Sequence, residues 1–163
     1  MSRIGVSVPF TLVLAGAYAG WAGSLPPEVA EERLQLSLRS ADLPPNEFVP
    51  AMIRSMFSDT APAEIIHGFA EIMAEFHPAG FRAMVRSLAE ADLRDVLPRV
   101  DVPTLLLYGD EDVRAPLTVA EDLHAAIPTS RLVVIPGVGH MSSVEAGERF
   151  NAEVRRFLRS VKG

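Results

Sequence analysis

Three short apolar runs alternate with longer stretches of helical periodicity along the chain. The runs cover residues 11–15, 104–108 and 132–135, and none of them contains a charged residue. Continuous apolar runs of this length predict strands buried in a parallel sheet. A short helix is predicted over residues 119–127, between the second and third runs, and strand–helix–strand order favours parallel pairing. The pattern therefore predicts an α/β fold with about three parallel strands.

The segment between the first and second runs has the periodicity of helices. A first helix is predicted after Pro26-Pro27, over residues 28–38, and a second is predicted to be capped by Asn46 and to hold Pro50 in its first turn. Two further amphipathic helices are predicted over residues 65–76 and 81–88. We therefore divide the chain into a helical insert, residues 26–90, and a sheet-forming core, residues 1–25 and 91–163.

Many large apolar residues of the insert, and one just before it, have two interpretations. Apolar residues at helical spacing are most often core, and that interpretation is favoured for any single one. The insert could also cover a ligand cleft as a cap or lid, since Met and Phe side chains suit an apolar pocket. The pocket candidates are Trp21, Met52, Met56, Phe57, Met73 and Phe76.

A terminal helix is predicted after the third run. Ser142 and Glu145 have the spacing of a capping box. An apolar face follows at Phe150, Val154, Phe157, Leu158 and Val161.

Composition limits the function classes. The formal net charge of −6 provides no excess of Lys and Arg to neutralise phosphates, which argues against nucleic acid or an anionic membrane as partner. A small-molecule ligand fits better. The chain has no cysteine, which excludes disulfides, thiolate catalysis and cysteine-ligated zinc.

The N-terminal segment bears on localisation. Residues 4–27 contain no charge and follow Arg3, which imitates a secretory signal peptide. Pro9 and several glycines interrupt a spanning helix, so a buried strand is the favoured interpretation and a cytoplasmic protein is expected. Export with residues 1–23 removed is the alternative.

Polar residues with possible chemistry follow the second and third runs. Asp110, Glu111 and Asp112 come after the second run, and His140 comes after the third. Ligands of parallel sheets bind at the carboxyl ends of the strands, where one crossover brings two successive loops together. A histidine oriented by a carboxylate is a common general base at neutral pH.

The two motifs together resemble a known family. Residues 103–112, Pro-Thr-Leu-Leu-Leu-Tyr-Gly-Asp-Glu-Asp, and residues 135–140, Ile-Pro-Gly-Val-Gly-His, resemble the last two strands of α/β-hydrolases. Residues 12–16 resemble the family's strand before the cap. The resemblance implies the C-terminal portion of that fold, with Asp112 as triad acid, His140 as base, and neither cofactor nor metal. It also implies hydrolysis of an ester, a lactone or an activated C–C bond.

One expected element is missing from the sequence. The family's nucleophile lies in a Gly-x-Ser-x-Gly turn upstream of the acid, and no serine here has those flanking glycines. The expectation is a truncated hydrolase with little activity of its own. The first strand would then be an exposed edge that pairs in a homo-oligomer or with a separate N-terminal half. The alternative is a non-catalytic binding protein that dimerises through this edge.

Overall fold

The computed structural model describes residues 11–161 and contains a three-stranded parallel sheet flanked by helices. The strands are β1 (Leu12–Ala15), β2 (Thr104–Gly109) and β3 (Ser130–Ile135), in the order β1-β2-β3. In register, Leu12 lies beside Thr104, and Thr104 lies beside Ser130. The predicted α/β class with three parallel strands is confirmed.

Eight α-helices complete this part of the chain. The helices between β1 and β2 are α1 (Trp21–Ser24), α2 (Pro27–Ser40), α3 (Pro45–Ile53), α4 (Ala63–Ala74) and α5 (Pro78–Glu90). A 3-10 turn follows at Leu97–Arg99, and α6 (Leu117–Ala126) connects β2 to β3. The chain continues with α7 (Ser142–Glu145) and α8 (Gly147–Ser160). The segment formed by α2 to α5 is called the cap below.

The central strand is the centre of the core. Leu106 and Tyr108 pack on α6 from one face of β2, and Leu105 and Leu107 pack towards Phe157 of α8 from the other. All six residues of β2 are buried, as predicted for a strand covered on both faces. The flanking strands were also predicted to be buried, but β1 is only partly buried and Val134 of β3 is 36% exposed. The difference arises because both are edge strands of the described sheet.

The cap has an apolar cluster of its own. Phe48 and Phe81 meet edge to face with ring centroids 5.1 Å apart, and Met73 and Val85 are buried beside them. Helices α2 and α5 pack against each other, as do α3 and α4. The cap therefore has an apolar core separate from the two faces of the sheet.

Two predicted helix starts are wrong. Helix α3 begins at Pro45, so Asn46 lies inside it and provides no cap, and Pro50 falls beyond the first turn. The N-cap position is Pro44, which provides no side-chain cap, and the helix starts at Pro45 because the fixed φ of proline suits a first helical position. Ser142 and Glu145 form no capping box, because they lie within α7 and the Glu145 carboxylate binds elsewhere.

The N-terminal signal-peptide alternative is only partly covered by the structure. Residues 1–10, with Arg3 and Pro9, lie outside the described residues. The remainder of that segment forms β1 and the short helix α1. Within residues 11–161, no helix is both long enough and apolar enough to cross a bilayer.

Candidate active site

Two loops at the carboxyl end of the sheet are held together by hydrogen bonds. The Glu111 amide donates to the Val138 carbonyl at 3.0 Å, and Asp110 Oδ1 accepts the Gly137 N–H at 2.6 Å. Gly109 has no room for a side chain, since a Cβ there would lie 1.9 Å from the Val138 oxygen. Asp110 thus ties one loop to the other, and the loops carry Asp112 and His140 side by side.

Asp112 and His140 form a hydrogen-bonded pair. His140 Nδ1 lies 2.8 Å from Asp112 Oδ2, and the side chains are 20% and 0% exposed respectively. Asp112 Oδ1 accepts the backbone N–H groups of Arg114 and Ala115, both at 2.8 Å. A buried carboxylate bonded this way accepts the Nδ1 proton, which leaves Nε2 with a lone pair able to take a proton. The sequence predicts both residues at the same edge of the sheet, and the structure places them in contact.

Gly16 packs closely against the Asp112–His140 pair. It follows β1 with a φ of 53°, and a Cβ there would lie 2.9 Å from His140 Nδ1 and 3.4 Å from Asp112 Oδ2. Only glycine adopts this backbone readily and leaves space for the imidazole. In the sequence, the signal for this role is a glycine directly after a predicted strand.

Glu145 joins the histidine loop to the cap. Its carboxylate accepts the Gly139 N–H at 3.0 Å, the Ser58 N–H at 3.2 Å and the Ser58 hydroxyl. The Met141 N–H donates to the Met56 carbonyl at 2.9 Å beside it. The close packing leaves no room at Gly139, where a Cβ would lie 2.7 Å from the Ser58 nitrogen. The spacing of Ser142 and Glu145 predicts a helix cap, so the sequence did not indicate this contact.

Comparison with known proteins identifies the family. The protein-family model with the description "Alpha/beta hydrolase family" matches residues 3–153 of the chain. The chain belongs to the alpha/beta hydrolase family. This match agrees with the parallel sheet and with the resemblance seen in the two motifs.

Relatives of this alpha/beta hydrolase chain include esterases. The chain is 36% identical over 81 residues to a pimeloyl-[acyl-carrier protein] methyl ester esterase from Vibrio vulnificus, covering 50% of this chain and 32% of the relative. It is 36% identical over 85 residues to a putative carbamate hydrolase from Cronobacter turicensis, again covering 50% of this chain and 32% of the relative. The chain thus spans about a third of the length of these curated relatives.

A solved esterase superposes over most of the chain. A thermophilic esterase from Thermogutta terrifontis matches with a TM-score of 0.79 and 29% identity, covering 93% of this chain and 56% of the esterase. The comparison supports the interpretation that α/β-hydrolase architecture organises the described sheet and helices.

The pocket candidates of this hydrolase chain fall into different places. Met73 and Phe76 line an apolar cavity of about 120 Å³ inside the cap, together with Phe48 and Phe81. Met52 lines a second cleft, between the cap and the loop after β2. Trp21 is buried in the cap cluster, with Met56 packed at its margin. Their role in substrate binding stays a prediction.

Phe57 lies against the loop that carries His140, at Gly139. Its ring meets Phe69 edge to face at 5.4 Å, and its backbone atoms approach Gly139.

No cluster of three or more His, Cys, Asp or Glu suited to a metal occurs among residues 11–161. Glu71 does lie near His67 on α4, at 3.5 Å, as an exposed i,i+4 pair.

Proposed function

We propose that this alpha/beta hydrolase chain is the acid- and base-bearing part of an esterase. Asp112 orients His140, and Nε2 of His140 takes the proton of a hydroxyl nucleophile as that nucleophile attacks an ester carbonyl. The same nitrogen then delivers the proton to the departing alkoxide, and water hydrolyses the acyl intermediate. The observation that best supports this proposal is the hydrogen bond of 2.8 Å between His140 Nδ1 and Asp112 Oδ2, with the Asp112 carboxylate fully buried.

The substrate class is proposed from the relatives. One relative is named for a methyl ester and another for a carbamate, and both groups have a carbonyl that a hydroxyl nucleophile can attack. A carboxylic ester is the proposed substrate; lactones and activated C–C bonds are the other candidates to be compared in the same assay. The cap would cover the bound acyl chain and exclude water.

The nucleophile is proposed to come from outside these 163 residues. The sequence contains no Gly-x-Ser-x-Gly turn, the position from which the family's serine would face the free Nε2. The chain alone is then expected to be a poor catalyst. An N-terminal extension or a separate N-terminal half would provide the serine and the oxyanion-stabilising N–H groups.

A hydrolysis assay tests the proposal. The chain, the chain extended upstream in its native reading frame, and His140→Ala in both lengths are incubated with a short-chain aryl ester. His67→Ala is the control, because its side chain is 78% exposed on α4. The proposal expects activity only in the extended protein, a loss of about 10³-fold or more in His140→Ala, and little change in His67→Ala. Full activity of extended His140→Ala contradicts the proposed base.

The second candidate is a non-catalytic binding protein. It is favoured by the edge position of β1 in the sheet of residues 11–161, where Leu12 to Leu14 are only partly buried. An open apolar edge is a template for pairing with another chain. This candidate predicts apolar ligand binding that survives His140→Ala and no ester hydrolysis in any length of the chain.

A further inference from the structure

We propose that the cleft between the cap and the loop after β2 binds the carboxylate of a small organic acid through Arg33 and Arg114. As far as this cleft selects esters that carry a free carboxylate, the inference rests on the proposed function. The binding itself does not. The cleft is about 230 Å³ and is bordered by α2, α3 and the loop that carries Asp112.

The two arginines that border the cleft are held close together. Arg33 Nη1 donates to the Arg114 carbonyl at 2.9 Å and to the Tyr18 hydroxyl at 2.8 Å. The Arg33 guanidinium lies over the Trp21 ring, 5.6 Å from its centroid. Arg114 Nη1 donates to Ser55 Oγ at 2.8 Å. Both guanidinium groups are thus hydrogen-bonded to neutral partners, and both arginines line the cleft.

Neither arginine has a carboxylate partner among residues 11–161. The Arg ion pairs in this part of the chain are Arg82 with Asp42, Arg94 with Asp92, and Arg156 with Glu153. Asp112 is the nearby acid, but its oxygens are bonded to His140 and to two backbone N–H groups. The chemistry of the cleft is therefore cationic, although the whole chain carries a net charge of −6.

The environment of Arg114 disfavours its charge. Burial lowers the pKa of the Arg114 guanidinium from its ordinary value, the charge of Arg33 lowers it further, and Tyr18 and Asp112 act in the opposite direction. A guanidinium stays protonated at neutral pH in spite of such shifts. Two neighbouring cations, one of them largely desolvated, gain more from a bound anion than exposed arginines do.

The remaining lining suits an organic anion. Leu36, Ala51, Met52 and Val113 provide apolar surface beside the two arginines. The cleft is smaller than the roughly 300–1,000 Å³ of most ligand pockets, which favours a short chain. A carboxylate can accept paired hydrogen bonds from guanidinium while its alkyl chain contacts the apolar residues.

Residues that line the cleft are linked by hydrogen bonds to the loop that carries Asp112 and lie next to the contact with the loop that carries His140. Arg114 follows Asp112 by two residues, and its N–H is bonded to the Asp112 carboxylate. Ser55 belongs to the cap segment whose next residue, Met56, accepts the Met141 N–H beside His140. An ester with a carboxylate at its far end would thus be recognised by the same loop that orients the general base.

A titration of the chain followed by NMR tests the binding. Butanoate is the probe, butanamide is its neutral analogue, and inorganic phosphate is an anion without a hydrocarbon chain. Saturable shifts of the amides at residues 113–115 and 51–55 are expected with butanoate. At least tenfold weaker binding is expected for butanamide and for phosphate. Equal binding of butanamide, or no saturation with butanoate, overturns the proposal; equal binding of phosphate overturns the organic part of it.

Two variants and a matched control assign the binding to the arginines. Arg33→Gln and Arg114→Gln retain hydrogen-bond donors without the charge, and each is expected to weaken butanoate binding at least tenfold. Arg156→Gln on α8 is expected to leave it unchanged. If either cleft variant binds butanoate as tightly as the native chain, the arginine in question only ties the cap to the loop and the proposed site is wrong.

The selection of substrate is measured separately. With the extended, active protein, monoethyl adipate is compared with ethyl hexanoate, which lacks the free carboxylate. A preference for monoethyl adipate in kcat/KM that falls at least tenfold in Arg114→Gln is expected; an equal preference in the variant overturns the selection. Failure of all hydrolysis overturns the proposed function, while the titration still decides the carboxylate site.

Discussion

At Gly16 the chain leaves β1 and passes directly behind the imidazole of His140. The backbone has a φ of 53°, and the position of a Cβ is already within 2.9 Å of a ring nitrogen. Both the backbone conformation and the contact therefore require glycine. The geometry of the Asp112–His140 pair depends on this residue, although it bears no functional group.

Gly16→Ala is expected to destabilise the chain and displace His140. The positive φ alone costs about 1–2 kcal/mol for a residue with a Cβ, and the contact with the ring adds to it. The matched control is Gly137→Ala, which has a φ of 71° but nothing within 4 Å of the added Cβ. Urea unfolding and the NMR signals of the His140 ring measure both effects. Equal loss of stability in the two variants, with an unchanged ring signal, would contradict the role given to Gly16.

Between elements, the cap and the histidine loop meet at the carboxylate of Glu145. Ser58 of the segment between α3 and α4 donates to it from one side, and Gly139 donates from the other. Hydrogen bonds to a charged acceptor contribute more than neutral ones, typically about 1.5–3 kcal/mol. The cap is thereby attached to the loop that carries His140.

Glu145→Gln is expected to loosen this attachment without unfolding the sheet. The uncharged amide oxygen accepts more weakly, so amide hydrogen exchange at Ser58 and Gly139 is expected to accelerate about tenfold, equivalent to about 1.4 kcal/mol. Glu148→Gln, on the exposed surface of α8, is the control and should leave both rates unchanged. The proposed attachment of the cap through Glu145 is wrong if hydrogen exchange at both amides is the same in Glu145→Gln as in the native chain.

On the scale of the fold formed by residues 11–161, β2 lies between two strands and β1 is an edge strand of the sheet. Leu12 and Gly16 donate their N–H groups to the Pro103 and Leu107 carbonyls on the β2 side. Because directions alternate along a strand, the N–H groups of Val13 and Ala15 face away from β2. If the chain pairs with a second copy or with an N-terminal half, we expect the added strand on this side of β1.

Ala15→Pro tests that pairing, because it removes an outward N–H while the bonds to β2 remain. If the chain associates through β1, sedimentation velocity is expected to show association weakened about tenfold or more. Val134→Pro is the matched control on the opposite edge, since Val134 is exposed and its N–H also faces away from β2. Weakening by Val134→Pro alone would assign the interface to β3 instead.

Much of the fold could be predicted from local sequence patterns. The uncharged run at 104–108 indicated a strand buried on both faces, because it has the length of a strand and is bounded by Pro103 and Gly109. Strand–helix–strand order then fixed the parallel pairing that brings the ends of β2 and β3 together. From that topology alone, Asp112 and His140 were expected at the same edge of the sheet.

Other features depended on long-range contacts and could not be read from neighbouring residues. Glu145 has the spacing of a helix cap, yet its carboxylate binds Ser58, 87 positions away in the chain. Gly16 is constrained by His140, and Arg33 meets the Arg114 carbonyl across 81 positions. The spacing of residues in the sequence indicates only partners that are near along the chain, whereas tertiary packing brings distant residues into contact.

The sequence by itself determined the α/β class, the position of the buried strand, and the acid and histidine loops, because hydrophobic periodicity and parallel topology are local or nearly local properties. Only the tertiary structure decided that the pair is 2.8 Å apart, that Gly16 and Glu145 hold it in place, and that two arginines share a cleft beside it. Those features are distances between residues far apart in the chain, and they are fixed only when the loops after the strands meet one another and the cap segment.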